Sequence, residues 1–251
     1  MPNRCANCEA NLASGEEYCP VCGQKHISER LTLREIASDL IHTVFHVDRS
    51  VLSLVRMLLL SPGTVALDYV RGKRKRYFGP FAFLFVVVAA ASALIAFTGF
   101  QAVATNSPNV IAAFLQTHVN LVMLEEVPLL AAITRLVEAR CGFNFAEHLV
   151  LAAYASGIRI LFFMVIVIPS WDFFHPSGPT AEHWYYIYLL VWSVYFGFAA
   201  SNFFRGNRAV SWCKGVAAAL LTWILTQVVT FLATSLFFGL SARVAPLARW
   251  G

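Results

Sequence analysis

The stretch Arg71-Gly72-Lys73-Arg74-Lys75-Arg76-Tyr77-Phe78-Gly79-Pro80 separates two chemically different parts of the chain. Upstream lies a charged, cysteine-bearing head; downstream the sequence is apolar almost to its end. Arg71, Lys73, Arg74, Lys75 and Arg76 cannot cross a bilayer cheaply, so they are expected to stay on the cytoplasmic side and to orient everything that follows. They are also expected to lie against anionic lipid headgroups, at roughly 1 kcal/mol for each Lys or Arg near the surface. Tyr77 and Phe78 supply an aromatic step at that interface.

Composition agrees with this division. Of 251 residues, 58% are hydrophobic and 13% charged, and the mean hydropathy is +0.64. Soluble domains carry about 25% charged residues. The expected fold class is therefore an all-α polytopic membrane protein, with about five transmembrane helices behind a small N-terminal zinc ribbon and an amphipathic helical neck. The net charge of +5 is concentrated beside the first apolar run, where the lipid bilayer is a nearer partner than nucleic acid. The N-terminus, Met1-Pro2-Asn3-Arg4-Cys5, has no apolar run before its cysteines, so the head is expected in the reducing compartment of synthesis.

Cys5-Ala6-Asn7-Cys8 and Cys19-Pro20-Val21-Cys22 form two CxxC pairs. Each pair makes a tight turn whose amides point at the sulfurs, and two such knuckles close a tetrahedral four-cysteine site of the kind Zn²⁺ accepts. A segment this short cannot bury a hydrophobic core, and a metal replaces it. One structural Zn²⁺ per chain, on Cys5, Cys8, Cys19 and Cys22, is expected over residues 1–26. A site closed by four thiolates has no position open to water, so the ribbon reads as a stabilising or partner-docking module.

Residues 27–78 read as the neck. Thr32 with Glu35 makes a capping box opening an amphipathic segment over Leu31–His46. Asp39, His42 and His46 share its polar face, which reads as solvated; a second metal is the alternative. A second amphipathic segment follows over Val51–Leu59. Ser61-Pro62 starts a third helix that stops at Gly72. The neck either lies in the interface or packs on the membrane body.

Residues 79–251 read as the membrane domain, with spans expected near 81–100, 119–136, 148–169, 184–204 and 216–240. Segments assigned to the inside hold the five cations at 71–76, then Arg135 and Arg140, then Arg205, Arg208 and Lys214. The loops 101–118 and 171–183 hold neither Lys nor Arg, which places the N-terminus inside and the C-terminus outside.

Three intramembrane ionisable residues stand out: Glu125, Glu126 and Arg159. Such groups cost about 2.5–3.5 kcal/mol each on insertion scales and pair or line a polar cavity. Counting inward, a carboxylate of the second span and Arg159 of the third both fall about 15 Å deep, which predicts an Arg159–Glu pair between neighbouring antiparallel helices. Adjacent glutamates point about 100° apart, so one pairs while the other faces a cavity or stays protonated; the constellation reads first as a neutralising staple between two helices, with an ion- or proton-linked site as the alternative. Pro128 frees the carbonyl of Leu124 nearby. Glu147 and His148, at the start of the third span, could form an acid–base pair; a glutamate at a helix N-terminus is also ordinary dipole chemistry.

Taken together, Cys5/Cys8/Cys19/Cys22 with Gly23-Gln24, Arg30-x-Thr32, Pro62-Gly63, Tyr69-x-x-Gly72-Lys73-Arg74-x-x-Tyr77-x-x-Pro80 and Glu147-His148-Leu149 resemble a family of uncharacterised bacterial integral membrane proteins. Its members pair a short N-terminal zinc ribbon with a multi-helix membrane domain of unknown function. The resemblance implies a bacterial inner-membrane location and no particular activity. Three functional readings follow. The first is a non-enzymatic protein whose ribbon stabilises the chain or docks a cytoplasmic protein; the chain has no Gly-rich phosphate loop, nucleophile elbow or HExxH. The second is a small-molecule or ion/proton-coupled transporter using Glu125, Glu126 and Arg159. The third is an intramembrane enzyme acting on lipid through Glu147 and His148. Nucleic acid is not an expected partner, because the ribbon lacks a dense basic or aromatic face.

Overall fold

Prolines and glycines punctuate the helices of this chain, and each break shows where the backbone hydrogen bonds go. The computed structural model describes residues 4–13, 15–25, 30–36, 50–100, 118–170, 179–204 and 206–244. Among these residues there is no strand, only two isolated antiparallel bridges in the head, Arg4–Asn11 and Tyr18–Lys25. Asp39, His42 and His46 lie outside the described residues. The capping box forms: the Glu35 amide donates to Thr32 Oγ1 at 3.3 Å and the Thr32 amide to Glu35 Oε2 at 3.0 Å.

Helix α1 (Ser50–Leu60) and helix α2 (Pro62–Val70) meet at Ser61, bent by 116°. Pro62 is the cause. It has no N–H to give the Leu58 carbonyl one turn back. The Tyr195 hydroxyl, from a helix far along the chain, donates to that carbonyl at 3.0 Å instead. Helix α3 (Pro80–Thr98) opens on Pro80 and ends on Gly99 in the left-handed region. Helix α4 (Val119–Val137) runs into a short turn, Ala139–Cys141. Helix α5 (Phe145–Phe162) starts on a full capping box between Asn144 and Glu147 and continues through a π-helical turn, Phe163–Val167. Helix α6 (Pro179–Phe203) and helix α7 (Arg208–Val244) complete the bundle.

Helix α5 is the axis of the assembly. It is buried on nearly every side, from Ala146 to Ile160, against α2, α3, α4 and α6. Small residues bring the other helices close: Gly215 of α7 lies 2.6–2.9 Å, measured from an added Cβ, from Ala200 Cβ and Gly197 Cα of α6. This is how helices associate where apolar surface alone offers little drive. A single core joins Leu31 and Ile36 of the head-proximal segment, Leu54 and Leu58 of α1, and the bundle as far as Ala219. Both short neck helices are thus packed into the bundle, α2 by Val65, Ala66 and Tyr69.

Among the described residues, four helices are long and apolar enough to cross a membrane: Pro80–Thr98, Phe145–Ser170, His183–Phe203 and Arg208–Leu236. Their large apolar side chains face outward, among them Phe97, Val165, Leu190 and Phe231. The bent α1–α2 pair is a fifth candidate. A helix, α4, does form where a span is expected over 119–136, and it packs against α5 and α7. Glu125, Glu126 and Arg135 nevertheless exclude it from the apolar set. The last helix also begins earlier than expected, at Arg208, so Lys214 lies within it. Lys214 is tied to Glu138 across the bundle, which lets the helix carry its charge without a break.

Candidate functional site

The four head cysteines converge. Their Sγ atoms all lie within 4.8 Å of one another, with Cys5–Cys22 and Cys8–Cys19 each at 3.6 Å. All four are thiols rather than disulfides. Ligands about 2.3 Å from a tetrahedral metal stand about 3.8 Å apart, so this spacing fits a four-thiolate site. The two knuckles are built alike. The Cys5 amide donates to Ala10 O and the Glu9 amide to Cys5 O, both at 2.9 Å; Cys19 to Gln24 and Gly23 to Cys19 repeat the pattern at 2.8 Å. Glu9 and Gly23 occupy the equivalent left-handed position, with φ of 62° and 68°.

The sulfurs also sit in unlike environments. The Ala10 amide bonds Cys8, but burial and the thiols of Cys19, Cys22 and Cys5 push Cys8 up to about 12. The Gln24 amide bonds Cys22 and, with the Asn7 side chain, brings it down to about 6. Four thiolates so close together need a cation, and amides aimed at sulfur are the second shell such a site requires.

The ribbon is stitched to the bundle. Gln24 is buried, and its carboxamide bridges the basic segment: Nε2 donates to the Gly72 carbonyl and Oε1 accepts from the Lys75 amide at 3.1 Å. Arg30 makes a second attachment. Its guanidinium spans both carboxylate oxygens of Glu147, at 3.2 and 2.5 Å, and the Gly142 carbonyl at 2.8 Å. The Asn144 side chain donates to Leu31 O at 2.9 Å. The ribbon, the segment 71–79, the α4–α5 turn and the α6–α7 turn therefore share one end of the bundle.

The five cations of 71–76 divide. Lys73 pairs with Asp68 at 3.0 Å, and Asp68 also accepts from the Tyr77 hydroxyl at 3.0 Å. Burial, with Asp68 as a further cause, raises the Tyr77 phenol above its ordinary value. Arg74 lies 3.6 Å from Glu35 and over the Tyr69 ring. Arg71, Lys75 and Arg76 remain exposed. The expectation of five surface cations thus becomes three, because two are engaged by groups the fold brings beside them.

Glu147 and His148 do not converge as an acid–base pair. Glu147 accepts from the Asn144 amide and from Arg30, whose own charge it stabilises. His148 points away into the core, with Nδ1 3.0 Å from Thr134 Oγ1 and its ring beside Phe143 and Phe204. Neighbouring positions on a helix differ by about 100°, and here each direction is already occupied.

Inside the bundle, Glu126 of α4 and Arg159 of α5 form an ion pair. Glu125 turns to α7 and accepts from the Thr230 hydroxyl at 2.5 Å. The Arg159 guanidinium lies over the Trp192 ring, 5.6 Å from its centroid, and the Tyr188 hydroxyl donates to the Arg159 carbonyl at 3.2 Å. Four helices thus contribute to one polar cluster. The π turn that follows Arg159 and Pro128 of α4 interrupt the regular backbone on either side of it.

Sequence reasoning did not assign roles to Gln24, Arg30, Thr230 or Trp192. Gln24 and Arg30 carried a signal, since both fall within the family-like pattern beside the cysteines. Thr230 and Trp192 carried none, because a polar residue every few turns of an apolar helix is ordinary.

A family model described as a protein of unknown function (DUF3667) matches residues 48–91. No curated protein and no solved structure matches the chain. Over the bent α1–α2 pair, the basic segment and the first part of α3, the chain is therefore similar to a family without an assigned activity.

Proposed function

We propose that this chain is a multi-pass protein of a bacterial inner membrane in which a structural zinc ribbon clamps the cytoplasmic face of the helical bundle. One Zn²⁺ sits on Cys5, Cys8, Cys19 and Cys22. The N-terminus is cytoplasmic and the C-terminus outside, as the distribution of Lys and Arg favours. Arg71, Lys75 and Arg76 meet anionic headgroups, while Lys73 and Arg74 serve the fold. The observation that carries this reading is Gln24. Its amide supports Cys22 while its side chain ties two backbone groups of the basic segment, so one residue joins metal site to bundle. The exposed Tyr18 and Val21 leave a face of the ribbon for a cytoplasmic protein partner.

All six tryptophans lie beyond residue 170, so their fluorescence reports the bundle and not the ribbon. Zinc content and tryptophan-detected melting of wild type, Gln24→Ala and Cys19→Ser test the clamp. The wild type and Gln24→Ala should hold one zinc per chain and Cys19→Ser less, with both variants melting earlier. A bundle whose melting ignores both changes would reduce the ribbon to an appendage.

A second reading, an ion- or proton-coupled transporter, is favoured by Glu125 and Glu126 being held by two different helices at the same level of the bundle. Proton flux in reconstituted vesicles that disappears in Glu125→Gln would support it. Glu147 and His148 are each committed to separate structural partners, which leaves no acid–base pair for chemistry on lipid.

A further inference from the structure

The polar cluster is unbalanced in charge and in hydrogen bonds. One guanidinium, Arg159, is paired with Glu126, while the adjacent Glu125 is held by the Thr230 hydroxyl. Ionised together, the two carboxylates leave one uncompensated negative charge among apolar helices, and such a charge is neutralised by a proton where no second cation is present. Among the described residues, the groups facing the cluster supply no such cation. Helix α3 and the stretch 215–240 of α7 carry no titratable residue. Helix α6 contributes the phenols of Tyr185 and Tyr188, the first taking a hydrogen bond from Trp223 Nε1. His118 and His183 stand at the far ends of α4 and α6, each with interactions of its own there.

Three polar atoms beside the cluster are buried with no partner among the described residues: Ser156 Oγ, Trp192 Nε1 and Thr226 Oγ1. Each residue is more than nine-tenths buried. Trp192 is the ring beneath Arg159, Ser156 stands one turn before Arg159, and Thr226 one turn before Thr230. The register of the helices places them together. Thr134 meets His148 and Glu138 meets Lys214 near the ribbon end. Counting inward from the Glu138–Lys214 level at the 1.5 Å helical rise, Glu126 and Thr226 lie about 18 Å deep and Arg159, by way of Thr134 and His148, about 22 Å, with Trp192 beneath its guanidinium. An indole N–H is a donor only, so its partner must be an acceptor. Buried polar atoms left without partners are costly, and water is the smallest acceptor that can serve all three.

We propose that this cluster is a hydrated proton-binding site. Glu126 stays ionised against Arg159, Glu125 carries one exchangeable proton, and water partners Ser156, Trp192 and Thr226. Glu125 takes the proton from hydronium, leaving water, while Thr230 holds its other oxygen. The site deepens the transporter reading by naming its cargo, but proton binding stands without flux.

The test is infrared difference spectroscopy between about pH 6 and about pH 10, where exposed carboxylates stay ionised, on the full zinc-loaded chain in bilayers, with a D₂O control. Wild type should show one protonated-carboxyl C=O band, Glu125→Gln none, and Arg159→Gln two, as Glu126 loses its counter-charge. Thr230→Val keeps the carboxyl and should keep the band at a shifted frequency, which separates loss of the site from loss of the fold. Absence of a band in folded wild type, or a band that survives Glu125→Gln, would overturn the proposal. Acid-pulse flux measured on the same vesicles separates the two ideas: a Glu125 band without flux retains the site and removes the transporter.

Discussion

Replacing Gly63 by alanine puts the packing argument to its hardest test. Helix α2 crosses α6 at this glycine, and a Cβ there would stand 2.0 Å from the Ala199 carbonyl oxygen, 2.7 Å from the Phe203 nitrogen and 2.9 Å from Asn202 Cβ. The first two are backbone atoms of a helix and cannot swing aside. Restoring a normal contact of about 3.4 Å to that oxygen requires α2 to recede by about 1.4 Å. The movement carries the adjoining Leu58 carbonyl away from the Tyr195 hydroxyl, now at 3.0 Å. Overpacking costs about 1–3 kcal/mol, and the orphaned carbonyl about 1–3 kcal/mol more. A middle value of about 4 kcal/mol lowers the melting temperature of a chain this long by about 8–16 °C. Gly99→Ala is the control: it has φ +67° and no neighbour within 4 Å. It should cost about 1–2 kcal/mol through backbone strain alone. Tryptophan-detected melting in detergent reads both. If Gly63→Ala melts with the wild type, or loses less than Gly99→Ala, the close crossing of α2 and α6 is not what holds the neck in the bundle.

Tyr195→Phe should lose about 1–3 kcal/mol in the same melt, since it removes only the hydroxyl that Leu58 needs. Wild-type stability in this variant would mean that another donor serves the carbonyl. Arg159→Met should cost about 3–5 kcal/mol by stranding Glu126, and the double variant with Glu126→Gln should recover part of it. Additive losses in that cycle would show that the pair is not coupled. Zinc binding should weaken as pH falls, because the metal displaces protons from thiols. Cys22, brought down to about 6, resists protonation longest, whereas Cys8, pushed up to about 12, is deprotonated only with the metal bound. Zinc release followed by a chelating dye across pH checks this, and a flat profile contradicts it. Lys214→Met should destabilise the bundle by leaving the buried Glu138 carboxylate without its cation; unchanged melting would show that the Cys141 thiol, 3.2 Å away, is partner enough.

Much of the architecture is local chemistry and could be read without coordinates. Helix starts at Pro62 and Pro80 follow from a residue whose missing N–H costs nothing in the first turn. Two CxxC turns bring their own sulfurs and amides, so the four-cysteine site needs little help from the rest of the chain. The apolar helices are set by length and composition, because a bilayer leaves no other way to satisfy a backbone. Even the choice of Arg159 as partner for a glutamate came from counting residues along two antiparallel helices.

Other features lie beyond a one-dimensional reading, for one reason: they depend on which face meets which neighbour. The sequence shows five cations in a row, but only the fold places Asp68 beside Lys73 and Glu35 beside Arg74. It shows Glu147 next to His148, but the helix turns one to Arg30 and the other to Thr134. It cannot say that Gln24 reaches Gly72, or that Thr230 reaches Glu125, since partners so far apart leave no periodic signal. Composition and spacing determined that the chain is all-helical, with several apolar helices of membrane length and a head whose four cysteines converge at metal-binding distance. The tertiary structure decided that the head is fastened to the bundle and that the buried charges do not balance, because pairing of charge and hydrogen bonds is settled only when distant helices pack.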